Sequence, residues 1–190
     1  MRLTTKLLTL VTVFAAAGSL YAAEYNLDAS HSHVSFKIKH LMISNVSGDF
    51  GDYSAVIDFD PKTKTLNKLE GTVTVDSIDT GIEKRDDHLL SDDFFSAEKF
   101  PDMTFKMKAL KGDKVIGDLT IRDVTKEVAF DYELGGVATD PWGNERMGFE
   151  LNGKINRMDY GLKWNKALEA GGFVVGDEVK ISIGIEAIKK

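Results

Sequence analysis

Two short clusters hold the residue types best suited to chemistry. His31-Ser32-His33 sets two imidazoles two positions apart, which in an extended segment puts them on one face. That spacing occurs in zinc sites, where a third ligand would come from His40, His88 or a carboxylate and a catalytic ion keeps one position open. Arg85-Asp86-Asp87-His88 is the densest ionisable group beside an apolar stretch, and Ser91 and Ser96 follow it. A His–Asp pair can serve as general acid and base. His31, His33 and His88 therefore define one reading, a metal-assisted or acid/base enzyme. The competing reading makes His31 and His40 hydrogen-bonding residues at the ends of one strand, and residues 85–88 a charged loop across one end of the fold. No G-x-S-x-G elbow occurs, and no glycine cluster resembles a phosphate-cradling loop. The two tryptophans, Trp142 and Trp164, lie in or beside connections, where they either plug an end of the fold or line a ligand mouth.

The elements that position these residues are strands. Val34–His40 alternates Val34, Phe36, Ile38 and His40 on one face with Ser35, Lys37 and Lys39 on the other. The same period of two returns in Ala55–Phe59, Leu69–Val75, Met103–Ala109, Val115–Ile121, Val128–Leu134, Met147–Ile155 and Val179–Ala187, with a short extended piece at Glu24–Asp28. One apolar and one wet face per strand is the mark of antiparallel sheets, and the long helices of a parallel α/β fold are missing from the pattern. Asp60-Pro61-Lys62, Lys111-Gly112-Asp113 and Gly135-Gly136 read as hairpin turns. Residues 83–96 and 160–170 break the alternation and are expected to form short helices, the first with a second turn capped by Ser91 or Asp92, the other ended by Gly171-Gly172.

Eight antiparallel strands hide their edges by closing into a barrel or pairing as a sandwich. An eight-stranded barrel has room for packed side chains or one slender ligand. Gly71, Gly117 and Gly153 fall on the apolar face, where they either leave space along the axis or mark bulges. Phe36, Ile38, Ile181 and Ile183 are expected to face that interior, with Lys37, Lys39, Lys180 and Ser182 in water.

Composition limits the alternatives. The 190 residues carry 24 Lys+Arg against 30 Asp+Glu, a net charge of −6 that gives no basic footprint for nucleic acid. The chain has no cysteine, so thiol catalysis, thiolate metal sites and disulfides are excluded. Arg2 and Lys6 precede the apolar run Leu7–Ala17, and small residues lead to Ala22-Ala23. This is the pattern of a cleaved secretory signal peptide over residues 1–22, too short to span ~30 Å of hydrocarbon. Its removal takes away two positive charges and no acid. Residues 23–190 then form one domain.

Several stretches together resemble a known family. They are Asp28-x-x-His31-Ser32-x-Val34-x-Phe36-x-x-Lys39-His40-Leu41, Arg85-Asp86-x-His88-Leu89, Asp93-Phe94-Phe95 and Phe100-Pro101-x-x-Thr104-Phe105. Gly117–Ile121, Val124-Thr125-Lys126, Asp140-Pro141-Trp142-Gly143, Gly148-Phe149, Trp164-Asn165 and Val175–Val179 continue the match to the end of the chain. In order and spacing the chain resembles the YceI-like family of periplasmic lipid-binding proteins. The resemblance implies an all-β, eight-stranded antiparallel lipocalin-like barrel that carries a long isoprenoid or acyl chain for transport or storage. It also implies no enzymatic activity; no bound metal and no cofactor beyond the lipid ligand are expected. A homodimer and transient contact with membrane proteins are left open. Leu90 stands where the family often has a second arginine, Arg122-Asp123 replaces a common His-Gly, and Glu127 replaces a frequent proline. Fewer cations near Arg85 favour a neutral quinone, an amide or a fatty-acid-like head group over a pyrophosphate. The expected ligand-binding set is Phe36, Ile38, His40, Arg85, Asp86, His88, Phe94, Phe95, Trp142, Trp164, Ile181 and Ile183, with Arg85, Asp86, His88 and the Phe94-Phe95 pair at the mouth.

Overall fold

A computed structural model describes residues 23–169 and 171–190; the expected signal peptide lies outside the described residues. The strands are β1 (Ala23–Leu27), β2 (His33–His40), β3 (Ser44–Phe50), β4 (Tyr53–Asp60), β5 (Thr65–Thr74), β6 (Ile78–Asp79), β7 (Asp102–Lys111), β8 (Lys114–Ile121), β9 (Val124–Thr139), β10 (Glu145–Asn156) and β11 (Val175–Lys189), with helix α1 at Glu83–Leu90 between β6 and β7; all but β3 and β6 correspond to the extended segments expected from the sequence. All pairings are antiparallel, and β1 closes the sheet by pairing with both β4 and β11.

Eleven strands make an eight-stave barrel because two staves are broken and the two-residue β6 only extends the edge of β3. β1 and β2 lie end to end along β11, with Leu27 opposite Ala187 and His33 opposite Gly184. The break is held by Ser32, whose hydroxyl donates to the Asp28 carbonyl at 2.7 Å and accepts from the Glu186 N–H at 3.0 Å. β3 and β4 form the second broken stave, bending at Gly51-Asp52. Tiny β6 pairs only with Asp49 and Phe50 of β3, so α1 is delivered beside that bend.

The interior is unequal along its axis. Tyr25, Ile57, Phe59, Leu66, Val115, Met147, Phe149 and Leu151 pack solidly into the half opposite α1. Inward glycines are part of that packing. A Cβ on Gly117 would lie 2.5 Å from the Phe105 ring, and one on Gly153 the same distance from Phe130. Their space is filled by rings from adjacent strands. Gly71 differs: a Cβ there would meet nothing closer than the Ser54 carbonyl at 3.9 Å, so it alone of the three leaves an opening.

Three local expectations are corrected. Gly135-Gly136 is not a turn but an irregularity inside β9, where the register shifts opposite Gly148 and Phe149; the hairpin turns later, at Asp140–Asn144. The helix expected over 160–170 does not form: residues 161–169 are non-helical. A single helical turn comes earlier, at Arg157–Tyr160, and ends at Gly161 in the left-handed conformation. The carbonyls of Leu162 and Trp164 accept from the Arg157 guanidinium, which removes them from any helical ladder, and Gly171-Gly172 bend the following hairpin. After α1, Ser91 is the C-terminal cap rather than the start of a second helix, its hydroxyl donating to His88 O at 2.7 Å.

Candidate functional site

The half of the barrel nearest α1 is not filled. It encloses a cavity of about 350 Å³ whose wall is overwhelmingly apolar. Period two decides which side chains face it: Val34, Phe36, Ile38 and His40 from β2, and Val179, Ile181, Ile183 and Ile185 from β11. Val46, Phe50, Ala55, Gly71, Met103, Phe105, Leu119 and Ile155 complete the wall.

The mouth is built by the segments that break the alternation. α1 offers Arg85, His88 and Leu89, the turns after it offer Phe94 and Phe95, and the 161–174 loop brings Leu162, Trp164 and Val174. His88 is the hub. One ring nitrogen lies 2.9 Å from the Asp93 carboxylate, and the imidazole stands edge-on to Phe94 and Trp164 with centroids 5.1 and 5.0 Å away. Phe95 meets Phe50 edge-on at 6.2 Å, joining the turn to the broken stave.

Of the twelve residues expected to bind ligand, ten line this cavity: Phe36, Ile38, His40, Arg85, His88, Phe94, Phe95, Trp164, Ile181 and Ile183. Asp86 and Trp142 do not. Asp86 turns back onto Thr80, taking its backbone N–H at 3.1 Å and its hydroxyl. Arg85 binds the same residue, donating from Nε to the hydroxyl at 2.7 Å and from Nη2 to the carbonyl at 2.6 Å. Arg85 and Asp86 thus meet through Thr80, which fixes the helix start and leaves the arginine beside the cavity. Trp142 sits at the other end of β10 and is 81 % exposed. Asp140 accepts from the N–H groups of Trp142 and Asn144, a turn that throws the indole into solvent.

The three histidines of the enzyme reading are not brought together. His31 ends a helical turn with Nδ1 3.0 Å from Asp28. His33 lies on the outer face with its ring over Gly184, and His88 is at the mouth. Among the described residues, one group could gather around a metal, Asp28, His31 and Glu186. Its centre is taken by Arg146, which donates to Asp28 at 2.7 Å and to Glu186 at 2.6 Å, and to Asp140 through Nε at 2.9 Å. These bonds raise the Arg146 pKa and, with His31, hold that of Asp28 down at about 2. The arrangement clips the broken stave to β10 and β11.

Sequence reasoning missed Arg157 and Arg122. Arg157 is 3 % exposed, lines the cavity, and donates to the carbonyls of Gly176, Leu162 and Trp164. Burial lowers its pKa, opposed by Asp177 at 3.6 Å. Arg122, one of the departures from the family pattern, reaches Phe94 O at 3.3 Å and Gly161 O at 3.2 Å and lies over the Phe100 ring. It ties both mouth segments together. Neither role has a signal in spacing, because the partners are carbonyls of distant residues.

The YceI-like domain matches residues 25–187. The chain belongs to the YceI-like family. It is 43 % identical over 164 residues to a UPF0312 protein of Staphylococcus epidermidis, covering 86 % of this chain and 96 % of that one. The crystal structure of the Campylobacter jejuni YCEI protein superposes with a TM-score of 0.71 at 41 % identity, covering 96 % of this chain and 99 % of the other. A polyisoprenoid binding domain from Saccharophagus degradans shares the fold, with a TM-score of 0.68 at 16 % identity over 88 % of this chain and 99 % of that domain.

Proposed function

We propose that this YceI-like protein is an exported carrier that encloses one long apolar chain, an isoprenoid or fatty-acyl lipid, for transport or storage in the periplasm. The observation that carries the reading is the half-filled barrel: an apolar cavity of about 350 Å³ to whose lining α1 contributes Arg85 and His88. Exposing each methylene to water costs ~0.8 kcal/mol, so a tail of several isoprene units gains strongly from such a wall. Pockets of this type take orientation from a small number of polar groups, a role that falls here to Arg85, His88 and His40. The polyisoprenoid that the Saccharophagus degradans domain is named for has the same chemistry. The head group is neutral or singly charged: no second arginine stands at Leu90, and Arg157, the other arginine lining the cavity, is engaged by the carbonyls of Gly176, Leu162 and Trp164 and by Asp177. No cofactor is required.

Titration with an environment-sensitive alkyl fluorophore tests this reading. Saturable binding near one equivalent, displaced by a long-chain isoprenoid alcohol and not by a short one, is expected. Absence of saturable binding would refute it.

A further inference from the structure

We infer that the β2–β3 turn, Leu41-Met42-Ile43, together with Phe173, inserts into the interface of a lipid bilayer and seats the cavity mouth on it. The inference rests on the carrier reading above and extends it to where the cargo is exchanged.

The turn breaks two ordinary rules at once. Leu41, Met42 and Ile43 are 36 %, 56 % and 82 % exposed, and Phe173 beside them is 52 % exposed. Leu41 and Met42 also hold φ of +49° and +64°. They are the central residues of a β-turn closed by the Ile43 N–H donating to the His40 carbonyl at 3.1 Å, and a turn of that hand is best made by Asn-Gly, so apolar side chains there carry backbone strain. The left-handed backbone turns these side chains outward at the tip rather than back into the barrel. Strain that aims apolar groups at water points to a surface that is covered in use.

Position gives the occupant. The Leu41 N–H donates to the Val174 carbonyl at 2.8 Å, His40 pairs in register with Val175, and all but Leu41 of these line the cavity. The exposed tip is therefore continuous with the cavity wall. Whatever covers it faces the mouth directly, and the only bulk phase holding long apolar chains is a bilayer. Four side chains are far too few for a second protein copy, since a stable interface buries about 800 Å² per partner over roughly 20–30 residues. A bilayer needs no matched surface. The surroundings suit an interface: Lys39 and Lys166 are exposed at the flanks, with the Lys166 ammonium 5.9 Å from the Trp164 ring centre. Lysine stems lie along apolar surface with the charge in water, and tryptophan favours the headgroup level.

The test is flotation with phosphatidylethanolamine–phosphatidylglycerol vesicles, using the mature chain carrying Trp142→Phe so that Trp164 is the sole indole reporter. Binding with a blue-shifted Trp164 emission is expected. Ile43→Ser should lower partitioning roughly tenfold, the effect of losing one aliphatic side chain. Val56→Ser, at 49 % exposure on the outer wall of β4, should leave it unchanged. No flotation of the parent protein, or equal losses from both substitutions, would overturn the inference. So would a dimer that Ile43→Ser dissolves, which would make the tip a self-contact. Alkyl-fluorophore binding measured on the same samples separates the two proposals: retained binding without flotation overturns the docking alone, and absent binding overturns the carrier reading and the docking with it.

Discussion

The His88 imidazole stands perpendicular to the Trp164 indole, at 5.0 Å between centroids and 89° between planes. This contact joins α1 to the 161–174 loop across the mouth, and Phe94 completes the trio by meeting both rings. Trp164→Ala removes the shared partner. It should destabilise the fold by about 2–3 kcal/mol, toward the lower end for truncating a large aromatic because Trp164 is only partly buried. Release of a bound alkyl fluorophore should become about tenfold faster. Unchanged release in stopped flow would show that the trio does not gate the mouth.

Phe95 faces the cavity from the turn after α1 and braces Phe50. Phe95→Ala should weaken binding of a long-chain ligand by about 1–3 kcal/mol through lost apolar contact. Arg85→Ala should alter head-group preference more than total affinity, because one polar contact nets about 0.5–1.5 kcal/mol. Competition between ligands with the same tail and different heads checks both.

The glycines of the inner wall should behave differently from one another. Gly71→Leu projects into open cavity and should block ligand binding while the fold survives. Gly117→Ala drives a methyl against the Phe105 ring and the Lys106 carbonyl. It should cost about 1–3 kcal/mol, as overpacking does. Urea denaturation and fluorophore titration on the pair give the comparison, and equal stabilities for the two variants would contradict the assignment of empty and filled space.

Ile183 faces the cavity and Lys180 faces water. Ile183→Asp should cost several kcal/mol because it sets a carboxylate without a partner into an apolar wall. Lys180→Asp should fall within about 0.5 kcal/mol of neutral. Denaturant midpoints decide it.

Asp28 links stability to acid. Arg146 first and His31 second hold its folded-state pKa at about 2, below the ordinary value of 3.8. A depressed carboxylate pKa contributes stability above the unfolded value, and that contribution is lost as pH falls from about 4 through 2. Asp28→Asn should therefore lower the Tm at neutral pH and flatten its decline over that window. Parallel Tm profiles for the two proteins would show that the clip does not carry this linkage.

Much of this was legible from the sequence, for reasons that particular residues make plain. Phe36 and Ile38 alternate with Lys37 and Lys39, and period two translates directly into inside and outside. β3 escaped because its inward positions are Val46, Gly48 and Phe50, and the apolar signal lapses where the Phe36 ring covers Gly48. Gly135-Gly136 misled because a bulge and a turn draw on the same residue type. The expected helix at 160–170 failed because Arg157 claims the backbone carbonyls there, a long side chain overriding local propensity. Trp142 is expected among the ligand-binding residues, and a place in a connection suits either plugging an end or lining a mouth, but barrels have two ends. Sequence order alone does not say that Asp140–Asn144 lies at the closed one.

The most direct test of the central claim is mass spectrometry of an organic extract of the protein purified from its own source without detergent. A single class of long-chain isoprenoid or acyl lipid near one equivalent, with a neutral or singly charged head, is the predicted result. An extract with no chain lipid above background, from protein that also fails to bind one added back, would contradict it.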